Sequence, residues 1–135
     1  MNTKDLFRKL SSLVIFIFLT NFVANKLHLY YSIWWFDMVM HFMGGAWLGL
    51  VFVWFESKKN LPIILNSSLV LKVVAWILLV GIGWEFFEYY FINYMAQNNF
   101  DIIDTMSDLV LDLSGGLLVT IYFARKYFKN NIELQ

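Results

Sequence analysis

The chain alternates four long apolar stretches with shorter polar ones. The first is LSSLVIFIFLTNFVANKL, residues 10–27, and the second is IWWFDMVMHFMGGAWLGLVFVWF, residues 33–55. In the third, apolar character runs from Leu61 to Tyr94, with its spanning part at about 69–92. Pro62 and Asn66 to Ser68 supply the turn and cap before it. The fourth covers about 104–124. Each is close to the roughly 20 residues that cross a bilayer as a helix. The pattern predicts an all-α fold: a polytopic transmembrane four-helix bundle, with residues 1–135 as a single transmembrane domain. A water-soluble bundle would need a polar stripe on every helix. Residues 13–19 and 69–84 carry none apart from Lys72. The first stretch follows Lys4, Arg8 and Lys9 as a signal peptide would, but no small-x-small cleavage site comes after it, so it reads as a retained span.

Composition agrees. Of 135 residues, 60% are hydrophobic and 15% charged, against about 25% charged in soluble domains. Zero formal net charge and the lack of a basic stripe argue against nucleic acid as a partner, and no glycine-rich phosphate loop or internal repeat is present. The absence of cysteine excludes disulfides, thiolate ligands and a cysteine nucleophile. Charge placement sets an expected orientation. With the N-terminus inside, Lys4, Arg8, Lys9, Lys58, Lys59, Arg125, Lys126 and Lys129 face the cytoplasm, and Lys26 alone faces out. Lys72, near the inner end of the third span, can snorkel. Both termini are therefore expected in the cytoplasm of a prokaryotic cell, with the protein integral to its plasma membrane. Tyr30, Tyr31, Trp34, Trp35, Tyr89, Tyr90 and Tyr94 form the expected outer aromatic belt.

That orientation gives the acids a meaning. Asp37, Glu85, Glu88, Asp101, Asp104, Asp108 and Asp112, seven of ten Asp and Glu residues, fall in the outer half or the outer loop. At about 1.5 Å rise per residue, Asp37, Glu88 and Asp108 lie about 6 Å deep, and His41, Glu85 and Asp112 about 10–12 Å deep. Spacings of three or four residues turn each helix's polar pair to one face. No Lys or Arg shares these layers. Uncompensated charge at such depth is costly, so either the carboxylates share protons or a divalent cation sits among them. His41 favours a metal. Oxygen ligands with one imidazole suit Mn, Zn or Fe, and an all-carboxylate subset suits Mg or Ca. The expected ligand set is Asp37, His41, Glu85, Glu88, Asp108 and Asp112, with Asp104 at the entrance. Asn21 and Asn25 are placed to hydrogen-bond the cluster from behind, and the glycines of spans two to four to let helices approach closely.

The segments FDMVMHFMGGAWLG, WEFFEYY and DTMSDLVLDLSGG resemble the VanZ-like group of membrane proteins and its relatives, over roughly residues 35–120. The resemblance implies a small multi-spanning membrane protein whose matching positions are Asp37, His41, Glu85, Glu88, Asp104, Asp108 and Asp112. Two departures stand out. Met38 occupies a place where a Lys commonly follows the first Asp, and no Arg precedes the last aspartates. Any phosphate would have to be held by the metal itself.

Three function classes follow. One is a metal-dependent hydrolase acting on a lipid phosphate or diphosphate at the outer leaflet, with Glu88 or Glu85 as base and His41 as ligand or general acid. Another is a non-catalytic, metal-stabilised membrane scaffold. The third is a cation transporter or channel, which could draw on a homo-oligomer to complete its path. Membrane lipids are partners in all three.

Overall fold

The structure, a computed structural model, describes residues 3–59, 65–93 and 101–132. Among these the chain is helical, with no strand. Helix α1 spans Thr3–Lys26, a short α2 spans Leu29–Ser32, α3 spans Phe36–Ser57, α4 spans Ser67–Phe87, and α5 spans Ile102–Ile132. Past Phe87 the helix widens into a π turn over Glu88–Asn93. Among the described residues, four helices are long and apolar enough to cross a membrane: Thr3–Lys26, Phe36–Ser57, Ser67–Tyr90 and Ile102–Lys126. Apolar runs had placed the spans at 10–27, 33–55, 69–92 and 104–124. Helical hydrogen bonding continues into polar flanks at the start of α1 and the end of α3, which an apolar count leaves out, whereas α3 starts late because Ile33, after α2, is extended. At the chain's end, α5 continues to Ile132, beyond the boundary of 124. Pro62 and Tyr94 lie outside the described residues.

Local chemistry sets several ends. Asn66 caps α4, its side-chain oxygen accepting from Leu69 N–H at 2.8 Å. Asp101 does the same for α5, accepting from Ile103 N–H at 2.9 Å. One of the seven outer acids is thus a cap. His28 takes the left-handed conformation at φ 53° and turns the chain from α1 into α2.

Helix α3 is the hub and packs most extensively on α5. Phe7 meets Trp54, and Trp47 Nε1 donates to the Leu10 carbonyl at 3.2 Å, so α1 runs antiparallel to α3. His41, Gly45 and Gly49 face Asp108, Asp112 and Gly116 in turn, so α3 and α5 run parallel. Glycine makes the second contact possible. A Cβ on Gly45 would run into the Asp112 backbone, and one on Gly115 into the Phe42 carbonyl. Main chain therefore rests on main chain, the close approach that helices use in lipid.

The two ends of the bundle differ. The buried apolar core, including Leu6, Phe52, Val53, Val73, Ile77 and Phe123, fills the half near the basic residues. Outward-facing Phe16, Phe18, Leu19 and Phe22 on α1, with Leu71 and Leu79 on α4, are exposed. Such a surface suits acyl chains and not water.

Candidate metal centre

The other half of the bundle carries the polar cluster. His41 is 7% exposed, Asp108 4% and Asp112 5%. His41 Nε2 lies 3.8 Å from Asp37 Oδ1 and 3.8 Å from Asp108 Oδ2, and Nδ1 lies 3.6 Å from Asp112 Oδ1. Ligand atoms of Asp37, His41 and Asp108 fall within 4.8 Å of one another, as do those of His41, Glu85 and Glu88. A metal bound at about 2.0–2.2 Å holds adjacent ligand atoms about 3–3.5 Å apart, so both groups need only small side-chain adjustments to share an ion.

Two depth layers were expected, and the side chains merge them around His41. In α3 and α5 the Cα–Cβ bonds tilt toward the helix N-termini, which lie at the polar end, so His41 and Asp112 lean outward. Helix α4 runs the other way, and Glu85 and Glu88 lean inward. Side chains based on two turns therefore converge on one imidazole.

Room for them comes from glycine. A Cβ on Gly81 would stand 3.1 Å from Asp112 Oδ2, and one on Gly44 3.8 Å from Asp112 Oδ1. The Asp112 carboxylate thus sits between glycines of α3 and α4. Packing alone was expected of these residues. Gly81 also makes space that admits a carboxylate at this depth, whereas a Cβ on Gly44 would meet it at ordinary contact distance.

Among the described residues, Trp76 Nε1, Thr120 Oγ1 and Glu85 Oε1 are buried without a hydrogen bond, and Glu85 Oε1 is the one that belongs to the cluster. Leaving a buried carboxylate oxygen unsatisfied is costly. Together with the imidazole and the two ligand-spaced groups, it marks where a cation fits. The Lys59–Glu56 and Arg8–Asp5 ion pairs lie at the opposite end of the bundle.

The family model described as "Predicted membrane protein (DUF2238)" matches residues 3–129. The chain belongs to that family. No curated protein and no solved structure matches it. Membership supports the coarser part of what the VanZ-like resemblance implied, a membrane protein family.

In this DUF2238 chain the structure gathers Asp37, His41, Glu85, Glu88, Asp108 and Asp112 at one site. Asp104 is exposed and belongs to neither ligand-spaced group. Asn21 accepts from both Asn25 and Tyr30, and among the described residues neither asparagine bonds a cluster carboxylate. Asn25 Nδ2 donates to Asn21 Oδ1 at 3.0 Å, and the Tyr30 hydroxyl donates to the same oxygen at 2.8 Å. Tyr30 is the residue that sequence reasoning left in the aromatic belt. Its ring packs edge-on against Phe36 at 5.1 Å. Burial, with Asp37 and Glu88 facing it, pushes its phenol up to about 12, so it stays a hydrogen-bond donor at the rim. No spacing signal distinguishes it from Tyr31, which is exposed.

Proposed function

We propose that the cluster binds a divalent metal ion and that the loaded centre hydrolyses a phosphate or diphosphate ester of a membrane lipid. The observation that carries the metal is the convergence of three helices on His41 with Glu85 Oε1 left unsatisfied. Geometry suggests a division of labour. Nε2 faces Asp37 and Asp108 and serves as the metal ligand, while Nδ1 faces Asp112, which fixes the tautomer and ring orientation. From α4, Glu85 would complete the ligand set, and Glu88, left unused by the ion, would serve as base.

The lipid reading rests on exposure. His41, Asp108 and Asp112 form a buried floor. The Asp37 side chain is 33% exposed and Glu85 and Glu88 are partly exposed, so the site opens toward the helix ends and a headgroup can reach it. A divalent ion held by these residues would supply Lewis acidity to phosphoryl oxygens and to an attacking water. Glu88 would take the proton from the attacking water. Against cation transport stands the apolar core of Leu48, Val53, Val73 and Ile77 below the cluster. The scaffold reading draws on the same buried floor.

Phosphate release from polyprenyl and glycerolipid phosphates in proteoliposomes tests catalysis. Metal-loaded protein should turn over at least one lipid in a chelator-sensitive way, and Glu88→Gln should slow it by about 10²-fold or more. No turnover of any lipid, with chelator-sensitive cation flux in the same vesicles, would replace hydrolysis with transport. Neither activity would leave the scaffold.

Orientation is part of the same proposal. Lys and Arg residues crowd the end that holds both Thr3 and Ile132, which the positive-inside rule assigns to the cytoplasm of a prokaryotic plasma membrane. The chain has no cysteine, so single cysteines at Lys59 and Asn98 report cleanly. Impermeant maleimide should label position 98 from outside and spare position 59. The reverse pattern would invert the topology and place the cluster in the other leaflet. Kinship with the VanZ-like group also belongs to this reading, carried by the shared Asp-x-x-x-His and Asp-rich helices.

A further inference from the structure

At the end of the bundle opposite the metal centre, the start of α1 and the end of α3 border a shallow, open groove whose lining includes Lys4, Asp5, Phe7, Arg8, Trp54 and Lys58. Among the described lining residues, Arg8 and Lys58 stand beside one carboxylate, Asp5. Arg8 pairs with Asp5 through one guanidinium nitrogen, which leaves most of its five donors for another acceptor. The Lys58 ammonium rests 3.8 Å from the centroid of the Trp54 ring. Among the described residues it has no carboxylate partner. Phe7 and Trp54 pack with ring centroids 5.7 Å apart and their planes tilted by 40°, and they form an apolar floor beside these charges. A second space of about 600 Å³, lined in part by Arg8, Lys9 and Ser12, adjoins it, so Arg8 borders both.

Charge, aromatic floor and position agree on one ligand chemistry. The groove lies where two candidate spanning helices end, a position that suits a headgroup, and Phe7 in its floor is exposed. Basic pockets between spanning helices attract anionic headgroups. Free phosphate would use the charges but leave the apolar floor idle. We propose that this groove binds the phosphodiester of an anionic phospholipid, with Arg8 and Lys58 on the phosphate and Phe7 and Trp54 against the glycerol and first acyl carbons. Nothing in this depends on the metal centre or its chemistry.

Titration of the full chain in detergent with phosphatidylglycerol or phosphatidylcholine, read by native mass spectrometry, tests it. Wild type should retain phosphatidylglycerol in preference to phosphatidylcholine. Arg8→Gln with Lys58→Gln should weaken phosphatidylglycerol binding about 30-fold, as two headgroup-level charges imply. Lys58→Gln alone should weaken it about fivefold, and it serves as the readout if the double variant fails to give a monodisperse protein. Lys126→Gln, at the same end but on α5 outside the groove, should bind as wild type does. Three results would overturn the site: no preference in wild type, an equal loss in Lys126→Gln, or displacement of the lipid by an equal concentration of inorganic phosphate.

Discussion

Replacing Gly45 by valine will drive α3 off α5 and unfold the bundle at lower denaturant than any surface change. A Cβ at this position runs into the Asp112 backbone, which cannot swing aside as a side chain would. Overpacking of this kind costs roughly 1–3 kcal/mol, occasionally more, and the upper end applies when backbone blocks backbone. The site suffers with the fold, because Asp112 is the residue displaced. Unfolding in mixed micelles followed by circular dichroism gives the loss. Gly83→Ala is the contrast. Nothing stands within 4 Å of its Cβ position, and alanine favours helix over glycine by about 0.8–1 kcal/mol. That variant should be as stable as wild type or slightly more so. A Gly45→Val protein with wild-type stability would show that α3 and α5 do not touch here.

Asp108→Ala and Glu85→Ala should each lower stability by about 3–4 kcal/mol in metal-replete buffer, the linkage expected when an ion at several hundred to a thousand times its dissociation constant no longer binds the folded state. Chelator discriminates between causes. If the loss comes from the ion, chelation should bring wild type down to the level of the variants and leave the variants almost unchanged. A chelator-insensitive gap between wild type and variants would instead assign the effect to the carboxylates' own contacts. Asp104→Ala should change neither quantity much, since Asp104 is exposed and outside both ligand-spaced groups.

The legible parts of this protein are those where lipid leaves few options. A span must be apolar for about 20 residues, so four helices could be counted from hydropathy alone. An acid inside such a span needs a reason, so Asp37, Glu85, Glu88, Asp108 and Asp112 stand out singly, and helix rise puts them in two neighbouring layers. Their convergence on His41 depended on a second geometric rule, the tilt of side chains toward each helix's N-terminus, which merged two layers into one site. Other features left no mark on the pattern. The π turn at Glu88–Asn93 is a change of hydrogen-bond register within a continuous helix. Tyr30 reads like any belt tyrosine until α2 brings its hydroxyl onto Asn21. Gly44 and Gly81 carry the same small-residue signal as Gly45 and Gly49, yet they flank a carboxylate, and only the relative rotation of α3, α4 and α5 decides which glycine does which.

Elemental analysis of the detergent-purified full chain addresses the central claim most directly. One divalent ion per chain should survive gel filtration in wild type. It should fall to background in His41→Ala, with the variant still eluting as a monodisperse helical protein. Wild type without stoichiometric metal, after purification in metal-supplemented buffer, would contradict the account. So would an ion that remained at full stoichiometry in both His41→Ala and Asp108→Ala.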